Sequence, residues 1–126
     1  MQQTDLEQRY TSARGLAELW VGVALAPLAW SAHLSFSYFL AGVVCGNPWN
    51  LALLGASVLL GGVALVGARF AWRNCTATGR EWPRGDLDGV IIRSRFLAVG
   101  GLLLAALSVL LIFVQTIPML VLNPCA

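Results

Sequence analysis

Three long apolar runs, separated by short polar stretches, dominate the pattern of hydrophobic and polar positions along the chain. They cover about residues 15–44, 50–68 and 96–122. A helix of about 20 residues crosses the roughly 30 Å hydrocarbon core of a bilayer, so each run is a candidate span. The pattern predicts an all-α membrane protein with three transmembrane helices.

The connections between the runs predict how the helices are arranged. Residues 45–49 include Gly46, Asn47 and Pro48, which favour a turn. So short a connection makes the first two spans an antiparallel hairpin, to which the third span adds. Residues 69–95 form a polar loop, with Asp86 or Asp88 as a cap for a helix that starts near Gly89. We therefore expect a tail over 1–14 and a single domain over 15–126.

The distribution of charge predicts orientation. Only 11% of the residues are charged while 58% are hydrophobic, and all eight basic residues are Arg. Every Arg lies in the tail or in the long loop with its flanking helix ends. Since cytoplasmic loops carry the excess of basic residues, we expect an N-in/C-out, multi-pass protein of a bacterial inner membrane. This explains the Arg residues better than nucleic-acid binding does. We attribute the absence of Lys to an Arg-biased genome, and Arg contacts with lipid phosphates or carboxylates of a partner are the alternative.

Small residues on the second and third spans favour close helix packing. The second span offers the pairs Ala52 with Ala56 and Ser57 with Gly61. On the third span the small residues predicted to form a thin face are Gly100, Gly101, Ala105 and Ala106.

Two of the three cysteines are predicted to lie together at the outer face. Cys45 is in the first turn and Cys125 is near the chain end, whereas Cys75 is on the cytoplasmic side. Thiols outside the cytoplasm tend to be oxidised, so we predict a Cys45–Cys125 disulfide that holds the third helix against the hairpin. Two unpaired cysteines are the alternative.

His33 is the single histidine, and it lies in the middle of the first span. Trp30, His33 and Ser37 share one helical stripe, while Pro27 and Tyr38 belong to the adjoining one. A haem ligand, a proton-relay member or a quinone contact is one interpretation. We favour a neutral His33 that hydrogen-bonds a neighbouring helix or a partner, because one histidine cannot supply bis-His ligation and no carboxylate lies mid-span. Glu18, near the span entrance, is expected to be interfacial and paired with Arg14.

No recognisable catalytic or nucleotide-binding motif occurs in the sequence. Asp86 and Asp88 are too few for a cation site. We therefore expect a protein that is not an enzyme, with no metal and no cofactor other than bound lipid.

The segment Ala26-Pro27-Leu28-Ala29-Trp30-Ser31-Ala32-His33, followed by Tyr38 and Cys45, resembles small three-helix bacterial membrane proteins associated with haem–copper cytochrome oxidases. Their first helix often has a Pro-x-x-Trp-x-x-His core, a later Tyr and a Cys near its outer end. The resemblance covers residues 26–45, under a fifth of the chain. It implies an accessory subunit that binds no redox centre and lies against the core oxidase subunits. The resemblance implies partner contacts at Pro27, Trp30, His33 and Tyr38. The helical stripe of Trp30 and His33 adds Ser37 to the predicted partner-contact residues.

Three functions follow as hypotheses. The first is a non-catalytic accessory subunit of a respiratory membrane complex, either a cytochrome oxidase or a supercomplex that contains one. The second is a small homo-oligomeric transporter or channel protomer, which would need a polar stripe through the full depth of the bilayer. The third is a transient oxidase assembly factor, which co-purification in mild detergent would distinguish from a permanent subunit.

Overall fold

The computed structural model describes residues 3–41, 49–78 and 89–122, and these form four helices. The helices are α1 (Gln3–Thr11), α2 (Ala13–Ala41), α3 (Trp49–Ala77) and α4 (Gly89–Val121). Helices α2, α3 and α4 are each long and apolar enough to cross a membrane. Helix α3 runs antiparallel to α2 and α4, and each of the three packs against the other two. The prediction of an all-α, three-span membrane protein is confirmed.

The helices extend further than the apolar runs at the Arg-rich end. Helix α3 continues to Ala77 and α4 begins at Gly89, so both ends of the predicted loop 69–95 are helical. Hydropathy marks the hydrocarbon boundary, whereas the backbone stays hydrogen-bonded for further turns in water. The start near Gly89 agrees with the sequence prediction. At the opposite end α2 extends to Ala41, and most of the turn 45–49 lies outside the described residues.

Some predictions concern residues outside the described ranges. These are the disulfide between Cys45 and Cys125 and the capping roles of Asp86 and Asp88. They therefore stay predictions.

A seam of small and polar residues holds the three spans together. Buried positions recur at alternating intervals of three and four residues, which is the spacing of coiled-coil packing. On α4 the buried series is Ile91, Ser94, Ala98, Gly101, Ala105, Ser108 and Ile112. On α2 it is Gly15, Leu19, Gly22, Ala26, Ala29 and His33, and on α3 it includes Ser57, Ala64, Gly67, Ala71, Asn74 and Thr78. Small side chains on all three seams let the backbones approach closely in lipid.

The tightest approach occurs where Gly22 of α2 meets both neighbours. A Cβ on Gly22 would lie 3.0 Å from the backbone nitrogen of Ala71, and a Cβ on Gly101 would lie 3.1 Å from the carbonyl oxygen of Gly22. Gly22, Ala71 and Gly101 therefore lie at one level, which we call the waist of the bundle. Of the predicted small residues, Ser57, Gly101 and Ala105 lie on the seam, whereas Ala106 is exposed and a Cβ on Gly61 or Gly100 would have open space around it.

The N-terminal tail folds back onto the bundle through a tight turn at Ser12. The Ser12 hydroxyl accepts a hydrogen bond from the backbone N–H of Gly15 (3.2 Å), as an N-cap residue does at the start of a helix. Gly15 passes so close to α1 that a Cβ there would overlap the carbonyl oxygen of Arg9. Helix α1 consequently packs against both α2 and α4, with Leu6 and Tyr10 placed among Leu19, Cys75 and Ala98.

Candidate functional site

His33 lies inside the bundle and links all three spans. Its ring is 1% exposed. Nε2 is 2.8 Å from the hydroxyl oxygen of Ser57 on α3, and Nδ1 is 3.3 Å from Oε1 of Gln115 on α4. We call these three side chains the polar core.

The polar core is satisfied with a neutral imidazole. The Ser57 oxygen is 2.9 Å from the carbonyl oxygen of Leu53 as well as 2.8 Å from His33 Nε2. If the hydroxyl donates to Nε2, the Nδ1–H of His33 donates to Gln115 Oε1. If the Ser57 hydroxyl instead donates to the carbonyl oxygen of Leu53, the Nε2–H of His33 donates to the Ser57 oxygen. The amide group of Gln115, rotated by half a turn, then donates an N–H to Nδ1 of His33. Both arrangements use both ring nitrogens without placing a charge in the apolar interior, where it would be costly.

The residues predicted to contact a partner divide between the inside and the outside of the bundle. His33 is buried, and Pro27, Trp30 and Ser37 are half-buried, with Trp30 packed against the seam. Among the predicted contact residues, Tyr38 alone is largely exposed, at 76%. The structure thus places His33 where it contacts its own chain, because Ser57 and Gln115 occupy its two nitrogens, and it leaves Tyr38 on the outer surface.

The other polar residues of α2 do not make its outer face strongly polar. The Ser31 hydroxyl donates to the carbonyl oxygen of Pro27, and the Ser35 hydroxyl donates to that of Ser31, both at 2.9 Å. These hydroxyls therefore satisfy their hydrogen-bonding needs within their own helix. His33 likewise bonds α3 and α4, whereas Trp30 Nε1 and Ser37 Oγ are buried without a hydrogen-bond partner in the described part of the chain.

A second polar cluster lies at the Arg-rich end, where α1 meets the spans. Arg9 donates to Glu18 at 3.0 Å, and Arg14 lies 3.9 Å from the same carboxylate. The Tyr10 hydroxyl donates to Asn74 Oδ1, and Asn74 Nδ2 donates to the carbonyl oxygen of Glu18, both at 3.4 Å. The predicted Arg14–Glu18 pair exists, but the closer cation is Arg9, which the turn at Ser12 brings to Glu18.

The buried Tyr10 hydroxyl has a raised pKa. Tyr10 is 1% exposed, and the loss of hydration raises its pKa above the usual value. Nearby Arg9 lowers this pKa and Glu18 raises it, but burial is the largest cause. The phenol consequently acts as a hydrogen-bond donor to Asn74 at neutral pH.

Neither cluster has the composition of a metal centre. No group of three or more His, Cys, Asp or Glu side chains that could hold a metal ion occurs among the described residues. The polar core contains one imidazole, one hydroxyl and one amide, and it joins three helices. Its arrangement is that of an interhelical tie.

The fold and the clusters define a class, a multi-pass membrane protein built as a three-helix bundle with an N-terminal helix docked at one end. Comparison with known proteins identifies no relative: no family model, curated protein or solved structure matches the chain. The function therefore has to be argued from the residues themselves.

Replacing His33 with Leu tests whether the polar core ties the spans together. We expect His33→Leu to lower the free energy of unfolding by about 1 kcal/mol, because interhelical hydrogen bonds in membranes average about 0.6 kcal/mol each. Unfolding by SDS titration of the purified chain measures the change. The matched control is Ser108→Ala, since the buried Ser108 hydroxyl donates only to Leu104 of its own helix. If both variants unfold alike, the polar core is not an interhelical tie.

Proposed function

We propose that this chain is a non-catalytic accessory subunit of a bacterial respiratory membrane complex, most specifically of a haem–copper cytochrome oxidase or a supercomplex containing one. The observation that carries the non-catalytic part is the polar core. The single mid-span ionisable residue, His33, is 1% exposed and bonded to both neighbouring helices. A ring held in this way supports helix packing and has no position left for a redox ligand.

The outer surface supports docking against a larger membrane protein. Tyr38 is 76% exposed, and Phe39, the next residue of α2, is 75% exposed; we call these two side chains the aromatic patch. Aromatic side chains bury much area at little entropic cost, and a tyrosine adds a hydroxyl that a partner can bind. This patch belongs to the segment that resembles oxidase-associated proteins, so we propose that Tyr38 is the main contact with the core subunits.

A pore formed by copies of the chain has less support. Such a pore needs a polar stripe across the bilayer, but the mid-span polar groups His33, Ser57 and Gln115 are joined inside the bundle. The Ser31 and Ser35 hydroxyls bond their own helix.

In the proposed orientation the N-terminus is cytoplasmic, because the Arg residues of the described helices all lie at the end where α1 docks.

Co-purification tests the docking proposal. The tagged chain, extracted from its native membrane in mild detergent, is expected to retain a larger complex with a haem spectrum. We expect Tyr38→Ala to weaken retention by about tenfold or more, since truncating a central aromatic contact typically costs about 2 kcal/mol. Haem absorbance per tagged chain gives the measurement.

Phe113→Ala is the matched control, because Phe113 is an exposed aromatic residue of α4 outside the proposed patch. It is expected to leave retention unchanged. A chain that migrates alone or as a homo-oligomer would contradict the subunit proposal, and equal loss in both variants would remove the assigned contact. Stoichiometric haem in the chain separated from its complex would contradict the non-catalytic role.

A further inference from the structure

Helix α3 carries two exposed arginines one turn apart, with a tryptophan between them. Arg69, Trp72 and Arg73 occupy positions i, i+3 and i+4 and therefore share one face of the helix. Trp72 is 60% exposed, and both Arg side chains are exposed. This face points away from the seam, whose nearest member is the buried Ala71.

The charge of this face is not balanced by the helices around it. Helices α3 and α4 contain Arg but no Asp or Glu, and the Asp5 and Glu7 carboxylates of α1 are not paired with Arg69 or Arg73. The acidic residue of α2, Glu18, is already occupied by Arg9 and Arg14. No ion pair joins Arg69 or Arg73 to another residue in the described part of the chain. Two like charges four residues apart destabilise a helix, so a bound anion would stabilise this arrangement.

The depth of the cluster matches the position of lipid headgroups. From Leu51 to Arg69 the helix rises about 27 Å, close to the roughly 30 Å thickness of the hydrocarbon core. Arg69, Trp72 and Arg73 therefore lie near one boundary when Leu51 lies near the other. Tryptophan is enriched at this boundary. Trp20 of α2 is exposed and lies two residues from Gly22, while Trp72 lies one residue from Ala71. Because Gly22 and Ala71 are at one level, both indoles lie within about 3 Å of that level.

We propose that Arg69, Trp72 and Arg73 form a binding site for the headgroup phosphate of an anionic phospholipid. A guanidinium group binds two phosphate oxygens in a bidentate manner. Two guanidinium groups one helical turn apart can therefore bind one headgroup phosphate from two sides. The Trp72 indole rests at the same level against the upper part of the acyl chains. The site faces the bilayer, so its occupant diffuses in laterally, and binding does not require a partner complex.

Lipid titration of the purified full chain tests the site. The probes are phosphatidylglycerol and phosphatidylcholine with identical acyl chains, and native mass spectrometry counts the lipids retained by each protein. Wild type is expected to retain phosphatidylglycerol preferentially. Each charge-assisted guanidinium–phosphate contact is expected to contribute about fivefold in affinity, so Arg69→Gln/Arg73→Gln should weaken phosphatidylglycerol binding about 30-fold.

The control removes the same charge elsewhere at this end of the bundle. Arg14→Gln/Arg93→Gln replaces one exposed arginine on α2 and one on α4. Both lie about 12 Å beyond the level of Gly22 and Gly101, more than a Debye length away, so the affinity should change by less than about fivefold. Equal weakening in both double variants would overturn the proposal, since net charge alone would then attract the lipid. Unchanged binding in Arg69→Gln/Arg73→Gln would overturn it in favour of another partner, such as an acidic protein surface.

A variant that retains the charge covers the case in which Arg69→Gln/Arg73→Gln misfolds. Arg69→Lys/Arg73→Lys keeps both positive charges but removes the bidentate forks, so we expect weakening of about fivefold with the thermal unfolding of the chain unchanged. Wild-type affinity for the lysine pair would overturn the assigned phosphate geometry. Equal retention of the two lipids by wild type would overturn the site itself.

Discussion

Gly22→Leu is expected to disrupt the bundle at its waist. The first side-chain carbon would meet the backbone of Ala71 at 3.0 Å, and Gly101 approaches from the other side. Because both obstacles are backbone, the helices have to separate, and overpacking of this kind costs about 1–3 kcal/mol. Separation would also lengthen seam contacts elsewhere, so we expect a loss near the upper end of that range. Unfolding by SDS titration, followed by circular dichroism, measures it.

Gly62→Leu is the matched control for the waist. Gly62 is an exposed residue of α3, and a Cβ there meets nothing within 4 Å. The same substitution should therefore be nearly neutral, or slightly stabilising, because leucine is a better helix former than glycine. A Gly22→Leu protein as stable as Gly62→Leu would show that the spans do not pack at the waist.

Gly15→Ala is expected to release α1 from the end of the bundle. A single methyl group at Gly15 would overlap the carbonyl oxygen of Arg9, so the turn at Ser12 has to open. Opening removes the Ser12 cap and the burial of Leu6 and Tyr10, which together stabilise α1 by about 3 kcal/mol. Hydrogen exchange of the α1 amides should accelerate at least about tenfold while the spans keep their protection.

Two comparisons make the α1 prediction specific. Ser12→Ala removes the cap alone and should cost about 1 kcal/mol, a smaller effect than that of Gly15→Ala. Gly89→Ala, at the open start of α4, should leave α1 unchanged, since a Cβ there has no neighbour within 4 Å. Unaltered α1 exchange in Gly15→Ala would mean that the turn tolerates the added methyl group.

The fold was largely predictable because the bilayer imposes it. Three apolar runs leave little choice but three helices, since lipid offers no hydrogen-bond partner to an unpaired backbone. The helix ends were less predictable. Arg69 and Arg73 signal the edge of the hydrocarbon, yet α3 continues to Ala77 in the polar region.

The candidate site was only half predictable. The sequence places His33 mid-span and supports a neutral, hydrogen-bonded role, but it does not identify Ser57 and Gln115 as partners. That pairing depends on how three helices are rotated and shifted against one another. The same rotation decides that Gly101 lies on the seam while Gly100 has open space. Small residues suit helix contacts and lipid-facing surfaces equally well, so composition alone cannot distinguish them.

The neighbours of Glu18 show a second limit of sequence reasoning. A spacing of four residues along one helix suggests Arg14, whereas the closer cation, Arg9, lies beyond a break in the helix. A polar tail of this length gives no periodic signal strong enough to predict that it folds back. The glycine at position 15 and the serine at position 12 are the local features compatible with such a turn.

The contact between Tyr10 and Asn74 has a consequence for the biosynthesis of the protein. The two residues are 64 positions apart, and α1 also packs on Ala98 of the last span. A ribosome releases the N-terminal helix first, but its docking surface is complete only after α4 has emerged. Until α4 emerges, α1 therefore lacks the Ala98 part of its docking surface. Its closure onto the bundle marks the completion of assembly of the three spans.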